Sequence, residues 1–218
     1  MAKWVKLVVG ILLLPVCAGA GSALYQVIRA SVGADTVWVA MLAGGGCWLS
    51  IYLLLPKPMW VYVFGHELTH AIWTWLMGGQ VKKFQANASG GHVIVTKSNF
   101  LIALAPYFFP IYSVGIGSLF LLGNHFWNWH HLQPWFHLLL GASYAFHLTL
   151  TWYILKSSQS DITEQGYLFS AVVIFLGNVV VLLVAIPVLA SQVTVVEALR
   201  WWYENTASAA RHLVALVS

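Results

Sequence analysis

Long apolar stretches separated by short polar breaks make up most of this chain. Six of them come close to the roughly 20 residues that a helix needs to cross about 30 Å of hydrocarbon. Prolines follow the second stretch and glycines follow the third, as expected where helices end. The pattern predicts an all-α polytopic membrane protein with about six transmembrane helices. The stretches fall at about residues 7–28, 35–55, 59–77, 99–123, 136–155 and 167–190.

Residues 80–97 break this pattern, because apolar and polar positions alternate there. Val81, Phe84 and Ile94 are apolar positions in this alternation, and the segment Asn87-Ala88-Ser89-Gly90-Gly91 interrupts it. Alternation on both sides of a glycine-rich break is typical of two strands joined by a turn. We therefore predict a small β-hairpin directly after the third stretch.

The segment 193–217 is amphipathic instead of uniformly apolar. Leu199, Trp202 and Leu213 share one helical stripe, whereas Arg200 and Arg211 belong to the charged face. Such a segment is typical of a helix that lies in the membrane interface or docks on a partner. We expect a C-terminal amphipathic helix whose apolar stripe is buried in lipid or against protein, and both locations stay open.

The fourth stretch contains two prolines four residues apart, Pro106 and Pro110. Each proline lacks the backbone N–H that a helix would use, so a carbonyl one turn earlier loses its partner. At membrane depth a freed carbonyl is tolerated only beside protein or a wet cavity. We expect the fourth span to bend or break at such a place.

Composition supports a membrane location and excludes nucleic-acid binding. Hydrophobic residues make up 60% of the chain and charged residues only 7%, whereas a soluble domain carries roughly 25% charged residues. The formal net charge of +4 is spread thinly, and no basic run exceeds the pair Lys82-Lys83. Cys17 and Cys47 lack the spacing of metal ligands. We expect a multi-pass integral membrane protein of the bacterial inner membrane.

The whole chain, residues 1–218, is predicted to form a single membrane domain. Residues 1–58 supply two accessory spans, 59–190 form a core, and 193–217 form the amphipathic helix. A basic N-terminus followed by apolar residues also occurs in signal peptides. Here the apolar character continues to about residue 28, which is long enough to span, so we expect a retained first helix.

The third stretch carries the motif H-E-x-x-H at His66-Glu67-Leu68-Thr69-His70. On a helix, positions i and i+4 share a face, so both imidazoles can reach one divalent metal ion. Glu67 is then placed to hold and deprotonate a metal-bound water. It is the only carboxylate in the interior of any apolar stretch. Because a carboxylate at mid-bilayer costs about 3 kcal/mol or more, we interpret the motif as a metal site inside the membrane.

Two histidines do not complete a catalytic zinc site, which takes three protein ligands and a water. His92 and His137 lie near the ends of stretches, where an exposed histidine is ordinary. Asp161 and Glu164 lie in the polar break before the last stretch, where unwound backbone could bring a carboxylate inward. Asp161 is the most interesting of these side chains, and the alternatives stay open. The candidates for the third ligand are Asp161, Glu164, His92, His137 and His147.

These features together resemble the site-2 protease family of intramembrane zinc metalloproteases. The shared features are H-E-x-x-H in a membrane helix, a hairpin after it, and an aspartate before the last membrane helix. The resemblance covers roughly residues 59–190. It implies that Zn²⁺ is bound by His66, His70 and Asp161, and that Glu67 is the catalytic general base.

The chain departs from the family around its aspartate. The family pattern is N-x-x-P-x-x-x-x-D-G, whereas Ile162 follows Asp161 here and Tyr153 occupies the asparagine position. The third ligand is therefore implied by the order of elements and not by the full motif.

The resemblance implies an intramembrane zinc endopeptidase. Its partners would be membrane lipid and a transmembrane protein substrate, which is cleaved in or near its membrane segment and pairs as an extended strand with the hairpin at 80–97. Two other functions stay open. One is a polytopic metal or haem carrier that uses several of the nine histidines, and the other is a non-proteolytic scaffold. Neither gives Glu67 a role.

Overall fold

The computed structural model of the protein describes residues 2–87 and 90–217. It is 80% helical and contains one small two-stranded antiparallel sheet, so the helical fold class and the hairpin are confirmed. The elements are α1 (Lys3–Leu12), α2 (Leu14–Ala30), α3 (Asp35–Leu54), α4 (Met59–Leu76), β1 (Val81–Asn87), β2 (Gly90–Val95), α5 (Phe100–Phe108), α6 (Ile111–Trp127), a 3₁₀ turn (Trp129–Leu132), α7 (Gln133–Leu155), α8 (Ser160–Gln165), α9 (Tyr167–Ala190) and α10 (Val195–Val217).

Fewer helices qualify as membrane spans than the six predicted. Among the described residues, three are long and apolar enough: Asp35–Leu54, Trp129–Leu155 and Tyr167–Ala190. The count rises to five if two bent pairs each make one span, α1 with α2 at 44° and α5 with α6 at 75°. These apolar helices are consistent with a membrane protein of three to five spans.

When each bent pair is counted as one span, the remaining difference from the six predicted spans lies in α4. This helix has 18 residues, and His66, Glu67 and His70 lower its mean hydropathy, so it does not qualify as a span by composition. The residues of the candidate site are thus the ones that make α4 too polar to qualify as a membrane span.

Prolines account for both bent pairs. Pro15 lies in the first turn of α2, directly after the break at Leu13, and Pro110 separates α5 from α6. A proline cannot donate to the preceding helical turn and its ring clashes with the carbonyl four residues earlier, so the helix axis changes direction there. The bend predicted for the fourth stretch is therefore present.

Two compact units make up the described chain. The first contains the residues up to Asp35 and from Ser160 onward, with α2 packed against α9 and α10 and with α1 packed against α9. Lys6 Nζ donates a 2.6 Å hydrogen bond to Gln165 Oε1, which fastens α1 to the end of α8. The helices α1 and α2 are therefore held in place by α8, α9 and α10.

The contact between α2 and α10 is close and partly polar. Gly19 lies directly against Thr206, where any larger side chain would collide with backbone atoms. Trp202 Nε1 donates to the Val16 carbonyl at 3.1 Å, and Asn205 donates to Gln26 at 3.0 Å. Small and hydrogen-bonding residues at a helix contact are typical of packing within membranes, where apolar burial alone gives no preference for protein over lipid.

Only part of the apolar stripe of α10 packs against protein. Trp202 packs against α2, whereas Leu199 and Leu213 are 43% and 49% exposed, so burial of the stripe in lipid stays a prediction. Among residues 195–215 of this helix, the buried position is Ala198. The pattern of the sequence did not separate the side of α10 that contacts α2 from its exposed side.

A capping box starts α10. The Thr194 N–H donates to Glu197 Oε2 at 2.8 Å, and the Glu197 N–H donates back to Thr194 Oγ1 at 3.2 Å. Each side chain satisfies a backbone donor that the first helical turn leaves without a partner. The bond from the Thr194 backbone also lowers the pKa of the Glu197 carboxyl.

The second unit, Thr36–Gln159, contains α3 to α7 and the hairpin. Its core includes Trp48, Tyr62 and Leu150, with Phe146 packed against them. Trp48 Nε1 donates to Thr149 Oγ1 at 2.8 Å, which joins α3 to α7. The α4 helix contacts α5, α6 and both strands, so it occupies the centre of this unit.

The predicted hairpin is formed by β1 and β2. Phe84 pairs with Val93 and Gln85 with His92, with an irregularity between Val81 and Lys83. Both strands pack on α4. The predicted turn includes Ala88 and Ser89, which lie outside the described residues.

Candidate metal centre

His66 and His70 lie one turn apart on α4, as the i, i+4 spacing predicts. Their ring centroids are 4.9 Å apart, and both side chains are half-buried. Glu67, between them in sequence, is buried with 7% of its surface exposed. The helix therefore holds two imidazoles and a buried carboxylate within about one and a half turns.

A backbone carbonyl orients His70. Its Nδ1 lies 2.8 Å from the carbonyl oxygen of Ile102 on α5. A carbonyl only accepts hydrogen bonds, so Nδ1 carries the proton and Nε2 of the neutral ring carries the lone pair that a metal needs. Holding the second ring nitrogen in this way is the usual arrangement for a metal-binding histidine.

The acceptor exists because of Pro106. In an uninterrupted helix the N–H of residue 106 would bond to the Ile102 carbonyl, but proline has none. His70 takes the freed carbonyl instead. The sequence predicted a freed carbonyl beside protein at this position, and the structure identifies its partner.

Aromatic rings surround His66. Tyr107, only 1% exposed, meets the His66 ring edge-on with centroids 5.2 Å apart, and Tyr62 lies 5.9 Å away. These contacts restrict rotation of the imidazole about its side-chain bonds. The ring of His66 is therefore fixed by packing, whereas that of His70 is held by a hydrogen bond.

Asp161 joins the two histidines in a group that could hold a metal ion. One ligand atom from each of His66, His70 and Asp161 lies within 4.8 Å of the other two. Ligand atoms on one tetrahedral zinc are roughly 3.3–3.5 Å apart, given zinc–ligand bonds of about 2.0–2.2 Å.

The donor set fits a catalytic divalent ion. Two imidazole nitrogens and one carboxylate oxygen leave one tetrahedral position for water, as in catalytic zinc sites of the two-histidine, one-carboxylate type. The charges of Asp161 and Glu67 would balance those of a divalent cation, which matters where water is scarce. Among residues 2–87 and 90–217, this is the one group of three such side chains.

The other candidates for the third ligand lie outside this group. Glu164 and His92 are exposed. His147 is buried on α7, with 6% of its surface exposed. His137 was expected to be an exposed histidine near a span end, but it is only 4% exposed, since it lies within α7, which begins at Gln133 and packs against α6.

The hairpin approaches Glu67 very closely. A Cβ built on Gly91 of β2 would lie 2.6 Å from Glu67 Cγ and 2.9 Å from Glu67 Oε1, both closer than real contacts allow. Only glycine lets the strand reach the carboxylate at this distance. In the sequence, Gly91 indicated only a turn. Its contact with Glu67 was not predicted, because Glu67 lies 24 residues earlier on another element.

No protein-family model, curated protein or solved structure matches this chain. The assignment of this group as a candidate metal centre therefore depends on its own geometry and donor chemistry.

Proposed function

We propose that this chain is an intramembrane zinc metalloprotease of the site-2 protease type. It hydrolyses a peptide bond in or near a transmembrane segment of another membrane protein. The observation that carries the proposal is the grouping of His66, His70 and Asp161. Glu67, buried on the same helix as the two histidines, supplies the general base that hydrolysis needs.

His66, His70 and Asp161 would hold the ion, and the Ile102 carbonyl keeps His70 oriented. When bound, zinc lowers the pKa of a water towards 7 and polarises the scissile carbonyl. Glu67 would accept one proton from the attacking water as the oxygen of that water bonds to the carbonyl carbon. Glu67 would then give this proton to the amine nitrogen as the C–N bond breaks, which regenerates the carboxylate.

The substrate must be extended at the cleaved bond, since a helical amide is shielded and hydrogen-bonded. A two-stranded sheet has an outer edge on each strand, and an extended segment can add to such an edge through backbone hydrogen bonds. The hairpin lies against α4 with Gly91 beside Glu67, so a strand added there would bring its peptide bonds near the general base. We expect this reaction in a cell membrane, with the bacterial inner membrane as the compartment.

A metal carrier or a scaffold could use the same three ligands. Such a protein would have no use for Glu67 or for the close approach of Gly91 to it. Cleavage that depends on Glu67 therefore separates the protease from both alternatives.

The proposal is tested with the full-length protein in detergent micelles. We expect about one zinc per chain by elemental analysis. Mass spectrometry should show cleavage of an unfolded reporter polypeptide and of single-span peptides with a central Asn-Gly pair. A zinc chelator should stop cleavage and added zinc should restore it. Stoichiometric haem with no zinc, or cleavage that survives complete metal removal, would reject the proposal.

Asp161→Ala should weaken zinc binding more than Glu164→Ala. Removing a direct ligand should exceed the roughly 10–100-fold loss that follows from removing an outer hydrogen bond. The matched control is Glu164, an exposed carboxylate on the same short helix, whose replacement should leave the affinity within about threefold. Chelator competition measures both dissociation constants. If the two variants lose zinc affinity equally, or if Glu164→Ala loses more, Asp161 is not a zinc ligand.

Gly91→Ala should reduce cleavage without removing zinc. The added methyl group cannot fit beside Glu67, so either β2 or the Glu67 side chain must shift and the two move apart. A misplacement of about 1 Å near a reacting centre can cost roughly 100-fold in rate. Gly115→Ala on α6, where a Cβ meets nothing within 4 Å, is the control and should cleave normally. Undiminished cleavage in Gly91→Ala would argue against a substrate on this strand.

A further inference from the structure

A small cavity lies beside His66, lined by residues of α4, of α5 and α6 around the break between them, and of α7. Its volume is about 10 Å³, close to the minimum for a single water molecule. The residues around it with polar atoms include His66, Thr69, Tyr112 and His147. The remaining lining is largely apolar and aromatic, so a cavity of this size with a few polar groups is suited to one water and to nothing larger.

His147 supplies the main reason to expect water there. His147 is only 6% exposed. Its Nε2 atom is fully buried and has no hydrogen-bond partner among the described protein atoms. Buried polar side-chain atoms nearly always have a partner, and a missing one indicates a water or an ion. Since His147 lines the cavity, a water inside it would satisfy this nitrogen.

Other polar groups around the cavity have unused acceptor capacity. Thr69 donates its hydroxyl proton to the Gly65 carbonyl and Tyr112 donates its own to the Val61 carbonyl, so both oxygens can still accept. Pro106 also lines the cavity, and Pro110, four residues later, has no N–H to give to its carbonyl. A water needs two to four polar partners, and this set provides them.

We propose that His147 holds one water in this cavity and that the pair positions His66 as a metal ligand. The inference rests on the metal centre of the proposed function. In this arrangement the water and His147 orient His66, as the Ile102 carbonyl orients His70. His147 is a positioning residue in this arrangement, because it acts on the site through the water and the ring of His66.

The structural test is a wild-type structure at a resolution that shows ordered water. A water should lie within hydrogen-bond distance of His147 Nε2, in contact with the His66 side of the cavity. A dry cavity would overturn the proposal, as would a direct bond from His147 to the metal. This readout does not depend on any variant folding.

The binding test compares His147→Phe with His147→Gln in the full-length protein. Phenylalanine fills the volume without a hydrogen bond, so zinc affinity by chelator competition should fall about 10–100-fold, as for other outer-shell losses. Glutamine keeps a hydrogen-bonding end and should stay within about threefold of wild type. His137→Phe, a buried histidine on the same helix that does not line the cavity, is the matched control.

Cobalt substitution adds a readout that general destabilisation would not change. His147→Phe should shift the visible bands of bound Co²⁺ while His137→Phe leaves them in place. Wild-type affinity and spectrum in His147→Phe, with zinc bound and cleavage intact, would overturn this inference alone. Absence of metal binding in the wild type would overturn the proposed function and this inference with it.

Discussion

Replacing Glu67 by glutamine should abolish peptide-bond cleavage while the protein keeps its zinc. The two side chains have nearly the same shape, so the close fit against Gly91 is preserved. The amide cannot accept the proton of the attacking water. Losing a general base typically costs about 10²–10⁴ in rate. Single-turnover cleavage of the reporter polypeptide, with zinc measured in the same samples, checks both parts.

The control for this change is Glu204→Gln. Glu204 is an exposed carboxylate on α10 that pairs with Arg200, one turn away, at 3.6 Å. Exposed pairs of this kind contribute little, so the variant should cleave at the wild-type rate. If Glu67→Gln cleaves as fast as Glu204→Gln, Glu67 has no part in the reaction, and a metal-binding or scaffold function becomes the better account.

Replacing His66 or His70 by alanine should remove the metal and, with it, all cleavage. Each histidine is one of three ligands in the proposed site, and two remaining ligands do not retain a catalytic zinc during purification. The zinc content should fall from about one ion per chain to below about 0.1. Elemental analysis of protein purified without added metal measures this directly.

His92→Ala serves as the control for the histidine variants. His92 is exposed on β2, close in sequence to the site but outside the group of ligands. It should retain full zinc content. Full zinc in His70→Ala as well would mean that the metal binds elsewhere. Equal loss in all three variants would point to general misfolding, which thermal unfolding of the metal-free proteins would reveal.

Local patterns in the sequence were sufficient for the helix that carries the motif and for the hairpin. The spacing of His66 and His70 fixes a shared face on any helix, and alternation around a glycine-rich break is a signal within a single segment. The prolines at 106 and 110 likewise predicted a bend with a freed carbonyl. These features depend on residues close together in the chain, which is why they could be predicted.

Features that depend on distant residues were missed. The burial of His137 is decided by neighbouring helices, and so is the side of α10 that faces α2. The contact of Gly91 with Glu67 depends on where the hairpin folds back. The number of spans was overestimated because α4 was counted as an ordinary apolar helix, although its site residues make it too polar.

The packing of α10 on α2 has a consequence for biosynthesis. These two helices lie near opposite ends of the described chain, so α2 enters the membrane long before its partner has been translated. At about 5–20 residues per second the delay is roughly 10–40 s. During this time the Gln26 side chain lacks its partner Asn205, whereas the residues of the second unit are contiguous and can assemble as they emerge. Translation of α10 is therefore the event that allows the first unit to be completed, and ribosomes that stop before it leave α2 open to membrane quality control.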